Sequence, residues 1–169
     1  MSEKKAKWVN ILTLALGIAA LPPLWAVLSP YIGVTTGSVA LICAGLFVAN
    51  GNKYNDTAKI CIGFLLGDIW AVLALHIMNI LPISSNAKLY ITLFVLGGLA
   101  VILGCVFEKW IMLPAWLCGW AIGLTIMAPI GINEIGSLPI QIGVAMVVGI
   151  LYVGIGVDLF QKQLLKWVK

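Results

Sequence analysis

Asp68 is the residue best placed to do chemistry in this chain. It stands inside an apolar stretch, residues 58–81, nine residues past Lys59. At the helical rise that is ~13 Å from a charged flank, near the middle of a hydrocarbon layer. A carboxylate at that depth is costly unless it is protonated, paired or facing water, and an ionisable residue there reads as a site for a solute or a proton. The plainer reading is a neutral, hydrogen-bonded structural Asp, or one lying shallower than its spacing suggests. His76 follows eight residues later in the same stretch. Eight residues turn a helix ~80° beyond two full turns, so both side chains can share a broad face. An imidazole near the outer end can gate a pore with pH; more plainly, it is an interfacial residue that tolerates its surroundings.

Trp25, Trp70, Trp116 and Trp120 lie away from the charged ends of the apolar stretches, and Trp116 and Trp120 are spaced to share one helix face. Such a set can form a narrow constriction that passes small neutral solutes and excludes ions, or it can simply pack helices. Pro22 and Pro23 each remove a backbone donor and free a carbonyl, which in lipid must find protein or water. Broken helices mark transport sites, although the same pair can be a plain kink. Gly97 and Gly98 form a corresponding weak spot later in the chain. The expected solute path is therefore Asp68, Trp70, Trp25, Trp116, Trp120 and His76, with helix breaks at Pro22, Pro23, Gly97 and Gly98. An enzyme is not expected: the chain has no HExxH, no Gly-rich phosphate loop and no intramembrane Ser/His or paired-Asp set. Cys43, Cys61, Cys105 and Cys118 show no CxxC or CxxH spacing and read as small apolar packing residues, so neither a metal nor another cofactor is expected.

Six apolar stretches must position these residues: 9–28, 34–49, 58–81, 89–107, 111–128 and 140–159. Each is close to the ~20 helical residues that cross a bilayer. Lys4, Lys5 and Lys7 precede the first, Lys53 and Lys59 flank the gap before the third, Lys109 separates the fourth from the fifth, and Lys162, Lys166 and Lys169 follow the sixth. The remaining gaps hold only Lys88. Lys-bearing loops resist translocation, so this alternation predicts six transmembrane helices with both termini cytoplasmic. Trp8, Trp110 and Trp167 then anchor the inner interface, and Tyr31 and Tyr90 the outer one.

Composition agrees with a single all-α membrane domain over residues 1–169. The chain is 62% hydrophobic and 9% charged, with a mean hydropathy of +1.11; a soluble domain carries about 25% charged residues. The net charge of +4 comes mostly from the cytoplasmic flanks, and there is no Arg to clamp phosphate or carboxylate. No soluble basic surface remains to bind nucleic acid. The basic start followed by Gly17, Ala19 and Ala20 mimics a signal peptide, but the charge pattern needs this stretch retained as a signal anchor. Residues 160–169 read as an interfacial tail, with Leu164, Trp167 and Val168 in the headgroup plane and Lys162, Lys166 and Lys169 facing water.

Residues 34–50 can be laid on 112–128, which brings Gly45 onto Gly123. With three stretches per half, the halves must insert in opposite orientations, so a 3+3 inverted repeat is expected, an arrangement whose sites lie near the midplane. Gly33/Gly37, Gly63/Gly67 and Gly119/Gly123 are small-xxx-small pairs that let helix backbones approach closely.

Leu24-Trp25-Ala26-Val27, residues 37–51 with Phe47 and Ala49, Gly67-Asp68-Ile69-Trp70-Ala71, and Pro114 before a small-residue-rich stretch carry a likeness. Over nearly its whole length the chain resembles the domain of unknown function 1097 family, small bacterial inner-membrane proteins. The resemblance implies a six-helix bundle in the bacterial cytoplasmic membrane and brings no substrate or site residues. Asp68 departs from the small or apolar residue expected in that stretch, which would make it a selectivity element of one protein. Three functions follow from these observations. The first is a channel or facilitator for a small, neutral or weakly polar solute, assembled as a homo-oligomer in lipid. The second is a proton- or cation-coupled transporter using Asp68, and the third a non-transporting membrane scaffold.

Overall fold

A computed structural model describes residues 3–168, all helix and connecting turns with no strand among them. Expectations that fall on Lys169 or on the Val168 side chain lie outside the described residues. Helix α1 spans Glu3–Leu28 and passes through a short 3₁₀ turn, Ser29–Ile32. Helix α2 covers Val39–Ala49, α3 Thr57–Ile80, α4 Ser85–Val106 and α5 Leu113–Met127. The chain ends in one long rod: α6 (Leu138–Val148), a π-helical segment (Gly149–Ile155) and α7 (Gly156–Val168).

Four of these units are long and apolar enough to cross a membrane: Lys4–Ile32, Tyr54–Ile80, Ser85–Val106 and Leu138–Trp167. Helices α2 and α5 are also apolar but have 11 and 15 residues, short of the ~20 that a full crossing takes. The reason for the late start of α2 is local. Gly33 takes a left-handed φ of 79° that ends the 3₁₀ turn, and residues 35–38 stay in turns before the helix sets in. Gly33 and Gly37 therefore flank a turn and are no helix-packing pair, which corrects one of the three pairs read from spacing.

The expected helix breaks are corrected too. Helix α1 continues through Pro22 and Pro23, and α4 through Gly97 and Gly98. Proline's fixed φ suits a helix, and although each ring costs one bond of the ladder, such residues are tolerated where neighbouring groups satisfy the freed carbonyls. The departure from α geometry lies instead in the π segment of the last rod. Helix α1 also begins before its apolar stretch, because Lys and Ala are good helix formers whatever their polarity. The basic tail joins α7 as one helix for the same reason.

The core consists of α2, α3, α5 and the last rod, with Phe47, Phe64, Ile60, Met127, Ile142, Met146 and Ile150 fully enclosed. Helices α3 and α5 are the tightest pair and run parallel. A Cβ on Gly63 would stand 2.7 Å from the Met112 carbonyl oxygen, and one on Gly123 would stand 2.5 Å from the Ala71 Cβ. The pairs Gly63/Gly67 and Gly119/Gly123 thus face each other. Side chains in lipid gain little from leaving it, so close backbone approach and its dispersion energy hold such helices together. Helix α2 runs parallel to the last rod, with Ala40 against Gly149 and Phe47 against Gly154. Helix α1 lies outside, antiparallel to α7, where Gly17 meets Val157 and Gln161 donates to the Asn10 carbonyl. Helix α4 lies outside α3 and α5, burying Thr92, Leu96, Ala100 and Gly104 and leaving its other face exposed.

Candidate functional site

Asp68 sits on the face of α3 that meets both α5 and α6. Its side chain is admitted because two neighbouring positions carry none: a Cβ on Gly123 would stand 3.3 Å from Oδ1, and one on Gly143 would stand 3.9 Å from Oδ2. The residue is 5% exposed. Its Oδ1 is buried and has no hydrogen-bond partner among the described residues. The carboxyl borders a groove of about 590 Å³ between α3 and α6, lined also by Leu65, Ile69, Ile140, Val144 and Val147. Asp68 is the one polar side chain in that lining. Leu65 meets Gly143 beside it, and the groove extends along α6 from Pro139 to Val148.

The other residues expected on the path are elsewhere. His76 is exposed two turns further along α3 and does not line the groove. Trp70 turns to the far side of α3, where its indole Nε1 donates to the Leu96 carbonyl of α4 at 3.1 Å. Its ring meets Trp116 edge to face, with centroids 5.1 Å apart. Trp116 and Trp120 are buried, and neither indole Nε1 has a hydrogen-bond partner among the described residues. Gly97 of α4 lies beside the Trp120 ring, 3.8 Å from where a Cβ would be. Trp25 donates from Nε1 to the Gly37 carbonyl at 3.0 Å and ties α1 to the turn before α2. The structure therefore brings Trp70, Trp116, Trp120 and Gly97 into one cluster, and leaves Asp68 outside it.

A second buried acid, Asp158 on α7, escaped the sequence reading. It is 6% exposed, and it accepts from the Tyr54 hydroxyl, from Asn52 Nδ2 at 3.1 Å and from Lys162 Nζ at 2.6 Å. Lys162 Nζ also lies 4.9 Å over the Tyr54 ring. These bonds fasten the turn between α2 and α3 to the last helix. A signal was available, since Asp158 and Lys162 stand at the i, i+4 spacing of a helical ion pair. At the opposite end, the Thr35 amide and hydroxyl donate to Gln141 Oε1 at 3.0 and 2.8 Å, and so hold the turn before α2 on the start of α6.

The chemistry open to the Asp68 groove is correspondingly narrow. A carboxyl there can accept a hydrogen bond, take up a proton or balance one positive charge. No nucleophile or second titratable group shares the lining with it.

The profile of a family described as "Protein of unknown function (DUF1097)" matches residues 15–162, and the chain belongs to that family. No curated protein and no solved structure matches the chain.

Proposed function

We propose that this member of the DUF1097 family is a membrane facilitator that takes a small, weakly polar solute at Asp68. One observation carries the reading: the carboxyl is buried, its Oδ1 has no hydrogen-bond partner, and the groove beside it is otherwise apolar. A buried carboxyl costs stability unless a proton or a partner satisfies it, and Asp68 is the polar side chain that an occupant of the groove would meet. Trp25 and Trp70 are assigned to packing, because each already donates to a neighbouring carbonyl, and Trp116 and Trp120 lie in the cluster with Trp70, outside the groove.

The wider frame of this proposal is six spans with both termini cytoplasmic in the bacterial inner membrane, built as an inverted repeat. Its support is geometric. Spans alternating in direction require α3 to run parallel to α5, and α2 parallel to the last rod, as their contacts do. The two halves also make corresponding contacts: α5 of the second half lies on α3, with Gly119 against Gly67, while α2 of the first lies on the last rod, with Ala40 against Gly149. That pairing of Ala40 with Gly119 is one residue out of step with the pairing of Gly45 with Gly123. The exposed apolar faces of α1 and α4 are left for lipid or for further copies of the chain.

Stopped-flow swelling of proteoliposomes with urea, acetamide and glycerol tests the reading. Permeability above empty liposomes that changes in Asp68→Asn supports a facilitator; none, in folded and oriented protein, moves the weight to a scaffold. The unpartnered Oδ1 also favours a second reading, a proton-coupled transporter. In that case Asp68→Asn abolishes gradient-driven uptake and spares downhill exchange.

A further inference from the structure

The chemistry of the groove says more than that a solute binds there, and the step rests on the reading of Asp68 as a solute site. We infer that the groove between α3 and α6 binds a small amphiphilic amine: one ammonium or amine group at Asp68 and a single apolar body along Leu65, Ile69, Ile140, Val144 and Val147. Four observations lead there. In its ionised form the Asp68 carboxyl supplies only acceptor atoms, and Oδ2, on the Gly143 side, is the oxygen turned toward the groove, so the polar end of the occupant must donate. The rest of the lining is apolar, so a second polar group on the occupant would be buried without a partner and would count against it. No Lys, Arg or His lines the groove; an anion would face the carboxyl with nothing to balance it, whereas a cation would be balanced. The groove volume of about 590 Å³ falls inside the ~300–1,000 Å³ of small-molecule sites.

The rim indicates how the occupant arrives. Ile69 is 60% exposed and Ile140 72% exposed. Both lie on the open side of the groove, so in a bilayer that side faces acyl chains. The amine enters laterally, apolar body first among the lipid tails, and its nitrogen reaches Asp68 without crossing an aqueous vestibule.

The order of affinities follows from the same chemistry. A primary amine satisfies both the hydrogen bond and the charge, an alcohol of equal length satisfies the hydrogen bond alone, and a carboxylate satisfies neither. The test uses purified full-length chain in lipid nanodiscs and radiolabelled octylamine, with octanol and octanoate as competitors. Saturable octylamine binding is expected, with octanol at least about tenfold weaker and octanoate without effect. Asp68→Asn should weaken octylamine about tenfold or more, and Val144→Trp should do the same by filling the groove from a position already 37% exposed. Equal partitioning of all three amphiphiles, or binding unchanged in Asp68→Asn, overturns the inference. So does an oligomer that Val144→Trp splits while octylamine fails to bind, since a second copy then fills the groove. Asp68-dependent swelling without octylamine binding would discard the amine and keep the facilitator. Octylamine binding without flux of any solute would keep the amine site and discard the facilitator.

Discussion

Asp68 and Asp158 are the same residue at nearly the same burial, 5% and 6% exposed, and they differ in company. Asp158 accepts from three side chains, one of them a cation. Asp68 has an oxygen enclosed by protein that accepts from none of the described residues. A buried acid with a full set of donors holds structure together, because removing it orphans those donors. A buried acid without donors detracts from stability unless a proton or a ligand satisfies it. The pair separates a fastening at one end of the bundle from an unpartnered acid between α3, α5 and α6.

The largest effect should come from the frame that presents Asp68. In Gly67→Val the new Cβ would fall 2.5 Å from the Trp120 amide nitrogen and 2.7 Å from the Gly119 carbonyl carbon. Backbone cannot yield as a side chain end can, so α3 and α5 must separate, at about 3 kcal/mol or more. Thermal unfolding in detergent should show a strongly lowered or lost transition, with Asp68-dependent flux lost alongside. An unchanged transition would mean that the glycine faces do not set the α3–α5 distance.

Next comes Asp158→Ala. Its partners Tyr54, Asn52 and Lys162 lose their acceptor, and the turn between α2 and α3 loses its fastening to α7. A cost of about 1–3 kcal/mol is expected, read as a lower unfolding midpoint and faster proteolysis within residues 50–56. Solute flux per folded molecule should hardly change. If flux fell while stability held, the two acids would have exchanged roles and the comparison would be broken.

Asp68→Leu should move stability in the opposite direction. Replacing an unpartnered buried polar group with an apolar one of similar size is neutral or stabilising, by up to about 1 kcal/mol, while flux and octylamine binding are lost. A destabilisation equal to that of Asp158→Ala would show that Asp68 has a structural partner after all.

Much of this frame was legible in the sequence, for reasons that differ by element. Long apolar runs nearly free of charge and of helix-ending turns mark where helices form, which is why the six stretches reappear as α1 to α5 and the last rod. They do not mark where a helix ends, since Lys4 and Lys5 or Lys162 and Lys166 extend one as readily as Leu. Spacing put Gly63 with Gly67, and Gly119 with Gly123, on single faces, but it could not say that these two faces meet. Asp68 stood out because nothing near it in the chain is charged. Asp158 did not, because Lys162 beside it already had a reading as a topology signal. The tryptophans were the least legible. Spacing gives the direction of an indole but not whether a carbonyl on another helix lies within reach of it.

Those indoles supply the smallest and sharpest test, because they repeat the contrast between the two acids in a neutral group. Trp70 Nε1 has a partner in the Leu96 carbonyl, whereas Trp120 Nε1 is buried with none among the described residues. Exchange to Phe removes the N–H and part of the ring in both. For Trp70→Phe a hydrogen bond and some packing are lost together, so the two terms add, and the hydrogen bond alone accounts for about 1 kcal/mol. For Trp120→Phe the cavity left by the smaller ring is offset by relief of an unpartnered donor. Unfolding midpoints of the two variants, measured in the same detergent, should therefore rank Trp70→Phe below Trp120→Phe, although Trp120 is the more buried ring. The reverse order would mean that ring packing outweighs hydrogen-bond satisfaction inside this bundle. An unpartnered Asp68 oxygen would then be weak evidence for a ligand.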